Sequence, residues 1–234
     1  MPFEVEHPEV VEAVRRALEE DIGPGDVTSA ACIPAGQTAQ GCFLARQELI
    51  VAGVELLPLI YRLRSGVEVL RLEKSSGDRA APGEALAWVR GPARTLLECE
   101  RVALNFLQRL SGVATLARRY VDAIAGTGCR ILDTRKTTPG LRRLEKMAAA
   151  AGGVTNHRLG LFDAVLIKNN HITAAGGVPA ALDRVRGLDL PVEIEVRTAE
   201  ELDEALAGGA TRLLLDNLTP EQAAAAVRRV ARRA

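Results

Sequence analysis

Between Pro8 and Asp21 the apolar residues Val10, Val14, Ala17 and Leu18 recur at three-and-four spacing, which predicts an amphipathic helix stopped by Ile22-Gly23-Pro24-Gly25. The rhythm then shortens. Residues 39–44, 49–54, 66–72 and 85–89 read as strands, separated by turn chemistry such as Ser75-Ser76-Gly77-Asp78 and Pro82-Gly83, with a helix interposed at 56–63. Over 93–110 a broad apolar face of Leu96, Leu97, Ala103, Leu104, Leu107 and Leu110 predicts a helix that Ser111-Gly112 interrupts, and a second helix is expected over 114–125. After Gly126-Thr127-Gly128 the chain alternates. Short apolar strands at 130–132, 164–167, 192–196 and 212–215 are each followed by a helical pattern, the rhythm of βα units on a parallel sheet. Thr198-Ala199-Glu200-Glu201 and Thr219-Pro220-Glu221-Gln222 have the form of capping boxes, the second with proline at the first helical position. The expected fold class is α/β, with an α+β domain over 1–112 and parallel βα units over 113–234.

Composition narrows the function classes. Thirty Lys plus Arg balance thirty Asp plus Glu, so no whole-molecule field draws the chain to nucleic acid or an anionic membrane. Aromatics at 3% leave an arginine-rich RNA-binding reading without a stacking platform. No apolar stretch approaches the roughly 20 residues of a membrane span, and Met1-Pro2-Phe3-Glu4 lacks the basic start of a secretory signal, which points to the cytoplasm. Cys32, Cys42, Cys99 and Cys129 form no C-x-x-C pair and read as reduced, mostly buried thiols rather than metal ligands. The run Asp78 to Glu84, with the strand at 85–89, has the turns of a biotin- or lipoyl-carrier sandwich, but no lysine occupies a hairpin tip there.

Chemistry gathers at the strand ends. Asp133-Thr134-Arg135-Lys136 follows the first predicted parallel strand, Lys168-Asn169-Asn170-His171 the second, Glu195 closes the third and Asp216-Asn217 the fourth. In parallel α/β barrels that edge is where loops converge on one ligand. Between Asp133 and His171 seven cations (135, 136, 142, 143, 146, 158, 168) face three acids (133, 145, 163), a local excess of four that implies an anion site. Arg142, Arg143 and Lys146, at helical spacing, are expected on a solvated helix face, whereas Arg135, Lys136 and Lys168 start at the rim of the core and reach inward. His157-Arg158, beside other cations, suggests a shared anion. Arginine's fork suits carboxylates and lysine's compact ammonium suits phosphate, so both anion types are expected. Glu195 and Asp216 suit sugar hydroxyls or a magnesium-phosphate complex held through water, with ion pairs to Arg197 or Arg212 as the alternative. Lys168 at a strand end also admits a Schiff-base, aldolase-like reading.

The runs Glu100 to Gln108, Ser111-Gly112-Val113-Ala114-Thr115, Asp133-Thr134-Arg135-Lys136-Thr137-Thr138-Pro139-Gly140 and Lys168-Asn169-Asn170-His171 closely resemble the quinolinate phosphoribosyltransferases. The similarity extends from Gly25-Asp26-Val27-Thr28 to Asp216-Asn217. It implies an N-terminal open sandwich domain joined to an incomplete α/β barrel, in a homodimer or higher homo-oligomer. The reaction implied makes nicotinate mononucleotide, pyrophosphate and carbon dioxide from quinolinate and phosphoribosyl pyrophosphate with Mg2+. By the resemblance, Arg135, His157, Arg158 and Lys168 hold the quinolinate carboxylates, and Arg101 reaches in from the partner subunit. Lys136, Glu195 and Asp216 contact the donor and its magnesium, and Thr134 and His171 join the substrate-binding set. Lys136, Lys168, Glu195 and Asp216 form the catalytic group it implies. Asn169 departs from the pattern, since an acid is common there in relatives. The family continues through further βα units beyond Ala234, so a barrel lacking its last units is expected, and an inactive relative is an alternative reading.

Overall fold

The stripe at Val10, Val14 and Leu18 is the buried face of helix α1 (Pro8–Ile22) in the computed structural model, which describes residues 3–231. The readings made at Met1-Pro2 and at Ala234 lie outside the described residues. The chain divides into two compact units, residues 1–157 and 158–234.

In the first unit α1 is followed by a short helix, α2 (Val27–Cys32), that apolar periodicity does not reveal. Its signal is Asp26, whose carboxylate accepts from the amides of Thr28 and Ser29 at 3.0 and 2.9 Å and so supplies the N-terminal cap. Strands β1 (Thr38–Leu44), β3 (Glu68–Leu72) and β5 (Ala85–Pro92) form an antiparallel sheet in the order β1-β5-β3. Strands β2 (Leu49–Ile50) and β4 (Arg79–Ala80) pair separately. Helix α3 (Leu56–Arg62) buries Leu56, Leu57, Leu59, Ile60 and Tyr61.

The strand expected over 49–54 ends at Ile50. Val51, Ala52 and Val54 are buried as a loop whose amides find other acceptors: Val51 N bonds Asp78 O at 2.9 Å, Ala52 N the Ser111 hydroxyl at 3.0 Å, and Gly53 N the Ser76 hydroxyl at 2.9 Å. The same bonds explain a second difference. Helix α4 (Ala93–Ala123) runs unbroken through Ser111-Gly112, because the Ser111 hydroxyl bonds the Ala52 backbone and Gly112 sits in open space. The unit closes with helix α5 (Arg142–Ala151) packed on α4, where Gly152 lets the backbones meet; a Cβ there would lie 2.4 Å from Ala114 O.

The strand expected over 130–132 is reduced to a single parallel bridge, Leu132 to Thr155. Thr155 N bonds Ile131 O at 2.9 Å and Asp133 N bonds Thr155 O at 3.2 Å, after which side chains replace the ladder.

The second unit is a parallel sheet in the order β6-β7-β8, from β6 (Val165–Ile167), β7 (Val192–Val196) and β8 (Leu213–Leu215), with helices α6 (Asn169–Ala175), α7 (Val178–Val185), α8 (Ala199–Ala207) and α9 (Pro220–Val230). Ile167, Ile194 and Val196 pack with Val178, Leu182, Leu202 and Ala205, so one face of the sheet is the core of this unit. Thr219 and Gln222 exchange both bonds of a capping box at the start of α9. At α8 only half the box forms: Thr198 accepts from Glu201 N at 3.2 Å, while the Glu201 carboxylate turns to Arg197 N at 2.8 Å.

Among the described residues no helix is long and apolar enough to cross a membrane, and no group of three or more His, Cys, Asp or Glu side chains is placed to hold a metal. Cys99 is buried and Cys42 half-buried, but Cys32 and Cys129 are exposed, contrary to the expectation of mostly buried thiols.

Candidate active site

In the first unit the loop from Asp133 to Thr138 carries three of the expected residues, Thr134, Arg135 and Lys136. Neighbouring buried charges on α5 hold its two ends. At the front, Lys146 pairs with the Asp133 carboxylate, and its ammonium also donates to the His157 carbonyl at 3.0 Å. Asp133 accepts from His157 N at 2.8 Å and from the Asn156 amide at 2.6 Å. At the back, Glu145 accepts from the Thr138 amide at 3.0 Å, from the Thr138 hydroxyl at 2.7 Å, and from Arg109 at 2.7 Å. Burial alone would raise the Glu145 carboxyl above its ordinary range, but the bonds from Thr138 and Arg109 outweigh it and hold it below.

The expectation of a solvated face for Arg142, Arg143 and Lys146 therefore fails most clearly at Lys146, which is 1% exposed. Arg143 also leans on neighbours, pairing with Glu4 and Glu9, and Arg142 donates to the Thr137 hydroxyl. Between the two clamps Arg135 is half-buried, and its Nε is buried with no hydrogen-bond acceptor among the described residues. Lys136 is exposed, its amide bonded to the Thr134 hydroxyl at 3.0 Å. Arg101 stands exposed on α4 without a hydrogen bond or ion pair among the described residues. A cleft of about 820 Å3 lies elsewhere on this unit, between α1, α4 and the Thr138–Leu144 stretch, and none of the expected site residues lines it.

In the second unit the register sorts the remaining residues. Leu166 lies opposite Glu193, and Glu195 opposite Leu214, so with strand alternation Lys168, Glu195 and Asp216 fall on the face of the sheet away from the apolar core. The Lys168 ammonium lies 3.9 Å from the Glu195 carboxylate, and Asp216 N continues the ladder to Val196 O at 3.2 Å. His171 accepts from Lys168 N through Nδ1 at 2.9 Å, fixing the first turn of α6. Glu195 is buried at 9%, and its partner is Lys168 rather than Arg197 or Arg212; Arg197 pairs with Glu201 instead. Arg158 donates to Ala164 O at 3.3 Å across a loop whose amides at Leu159 and Gly160 are held by Asp163. Lys168 is 48% exposed and faces a carboxylate, the opposite of the desolvated setting in which a lysine forms imines.

Residues 26–111 match the family model described as "Quinolinate phosphoribosyl transferase, N-terminal domain", and residues 113–234 match the corresponding C-terminal domain. The chain belongs to the quinolinate phosphoribosyltransferase family. A relative in Mycobacterium leprae named nicotinate-nucleotide pyrophosphorylase [carboxylating] is 43% identical over 93% of this chain and 78% of its own length. One in Bacillus subtilis, with the same name qualified as probable, is 43% identical over 86% of this chain and 71% of its own length. Among solved structures of the quinolinate phosphoribosyltransferase fold, NadC from Streptococcus pyogenes superposes with a TM-score of 0.89 at 35% identity, covering 100% of this chain and 82% of that one. The nicotinate-nucleotide pyrophosphorylase from Francisella tularensis gives 0.90 at 35% identity, covering 97% and 81%.

For a quinolinate phosphoribosyltransferase chain, then, the structure groups Thr134, Arg135, Lys136 and His157 around Asp133 in one unit, and Lys168, His171, Glu195 and Asp216 along one sheet edge in the other. Sequence reasoning missed the residues that hold them: Asp133, Lys146, Asn156, Glu145 and Arg109. Lys146 carried a signal, since it is one of only four lysines and is followed by Met147 and four alanines.

Proposed function

We propose that this chain transfers the phosphoribosyl group of phosphoribosyl pyrophosphate to quinolinate with decarboxylation, giving nicotinate mononucleotide, pyrophosphate and carbon dioxide. Beyond family membership, one observation supports it. Arg135 Nε is a donor buried from water and left without an acceptor among the described residues, and a ligand carboxylate supplies the missing partner. His157 and Arg158 follow in the chain, and with Lys168 they complete the set assigned to the two quinolinate carboxylates.

In this reading the pyridine nitrogen attacks the anomeric carbon, the carbon–oxygen bond to pyrophosphate breaks, and pyrophosphate leaves. The alkylated ring is then positive at nitrogen, so the electrons of the departing 2-carboxylate pass to the ring carbon, which takes a proton from solvent. No general base is required, and cationic preorganisation is the chief device. Lys136, exposed beside the carboxylate site, meets the donor's phosphates. Glu195 and Asp216, two carboxylates on one face, suit Mg2+ held through water and phosphate oxygens rather than in a protein cage. When bound, that ion neutralises charge on the leaving pyrophosphate. Arg101, exposed and unpartnered among the described residues on a helix that also exposes Leu97, Leu116 and Tyr120, fits a second copy of the chain covering this surface.

The test is pyrophosphate and carbon dioxide release by the purified chain given quinolinate, phosphoribosyl pyrophosphate and Mg2+, with calorimetry of quinolinate binding. Arg158→Ala and Lys168→Ala are expected to weaken that binding at least roughly tenfold with the fold intact. Unchanged affinity in both variants, or no product from both substrates together, overturns the reading.

A further inference from the structure

The ladder that begins at Leu132 and Thr155 has a single bridge, yet His157, two residues on, has both backbone groups fixed. Its N–H donates to Asp133 Oδ1 at 2.8 Å and its carbonyl accepts from Lys146 Nζ at 3.0 Å. The two side chains are themselves an ion pair, and Asn156 ties the pair together, its amide reaching Asp133 Oδ2 at 2.6 Å and the Lys146 carbonyl at 2.9 Å. Side-chain atoms thus stand where the next rungs of backbone pairing would be. This frees the backbone of Thr134 to Lys136 from a strand conformation while holding it at a set distance from His157.

A buried ion pair is a weak source of stability, because removing both ions from water offsets most of their attraction, and apolar residues of similar size often do as well. Lys146 is 1% exposed and the Asp133 side chain 9%, so the pair lies in that regime. Its distinctive property is directional: one carboxylate and one ammonium together fix three groups, the His157 N–H, the His157 carbonyl and the Asn156 side-chain amide.

We propose that Lys146 is a positioning residue for quinolinate, acting through Asp133 and the main chain of His157 to set the His157 ring against Arg135. This rests on the reading that quinolinate binds at Arg135 and His157. Lys146 touches no substrate in this account. It fixes the separation of two groups that do, so its loss shows in quinolinate affinity and not in the affinity for the phosphate-bearing donor.

The experiment compares the parent chain, the double variant Asp133→Asn/Lys146→Met, Asn156→Leu and Arg135→Ala by calorimetry with quinolinate and, separately, with phosphoribosyl pyrophosphate, alongside thermal unfolding. The double variant removes both charges together, so no lone ion is left buried. It is expected to unfold near the parent temperature, to bind quinolinate at least roughly tenfold more weakly, and to bind the donor within about threefold of the parent. The His157 imidazole resonances, followed by NMR at one fixed pH, are expected to move as well. Asn156→Leu, which removes the amide's bonds to Asp133 and to the Lys146 carbonyl but no charge, is expected to show a smaller loss in the same direction, and it carries the test should the double variant not fold. Unchanged quinolinate affinity in a folded variant, or an equal loss for both ligands, overturns the positioning role. If Arg135→Ala also leaves quinolinate binding unchanged, it is the underlying site assignment that fails.

Discussion

Arg109 grips Glu145 through two donors on one carboxylate oxygen, Nε at 3.0 Å and Nη2 at 2.7 Å, and the same guanidinium reaches the Thr138 hydroxyl at 2.8 Å. The pair closes the far end of the loop that carries Arg135 and Lys136. Because the folded Glu145 carboxyl lies below its ordinary value of 4.5, it contributes stability that is present above that value and lost as pH falls through the lower, folded one. Glu145→Gln should remove this component and lower stability near neutral pH by about 1–3 kcal/mol. Urea unfolding from about pH 7 down to about pH 3 checks both, and parallel pH slopes in parent and variant below about pH 4.5 would contradict the assignment.

Arg135 sets stability against binding. A buried donor without an acceptor costs about 1–3 kcal/mol, so Arg135→Met should leave the ligand-free chain as stable as the parent or more so. The same substitution should abolish the rise in melting temperature that quinolinate gives the parent. A variant that is less stable without ligand shows that Nε is satisfied in solution.

Two glycines predict opposite outcomes. Gly152→Ala would place a Cβ 2.4 Å from Ala114 O and 2.6 Å from Ala117 Cβ, so α4 and α5 must part, at a cost of about 1–3 kcal/mol. Gly160→Ala meets first the ring of Phe162, 73% exposed and able to turn away, and should be nearly neutral. Chemical denaturation of the two variants side by side decides the matter, and equal losses would refute the close approach of the helices.

Helix α9 buries none of its residues, so its local cap matters more than usual. Thr219→Ala removes the hydroxyl that accepts from Gln222 N and should cost about 1 kcal/mol. Hydrogen exchange should quicken over residues 222–230 and leave β6 and β7 unaffected. Uniform quickening across the sheet would show that α9 is integral to its core.

What the sequence makes legible is whatever repeats locally. The stripe of α1 and the alternation that separates Glu193 and Glu195 from Ile194 each declare a buried face within a few residues. The continuity of α4 is not legible, because Ser111-Gly112 breaks a helix only if the serine hydroxyl turns on its own backbone, and here Ala52 claims it. Lys146 is hidden for a similar reason. Its partners, Asp133 and His157, lie 13 and 11 residues away, and until they are in place an Arg-Arg-Leu-Glu-Lys run looks like a wet surface. The strand-end residues Lys168, Glu195 and Asp216 are readable as a set, since one parallel register delivers them all, whereas the residues that steady Arg135 and His157 come from side chains meeting side chains.

Because the Glu145 carboxylate and the Lys146 ammonium are shut away from solvent, dissolved counter-ions do not reach them, and the loop they clamp keeps its shape as ionic strength rises. Lys136, in the open, has no such shelter. Added salt should therefore weaken the pull on an anion without deforming the scaffold that aims it, so that affinity in brine falls by screening alone.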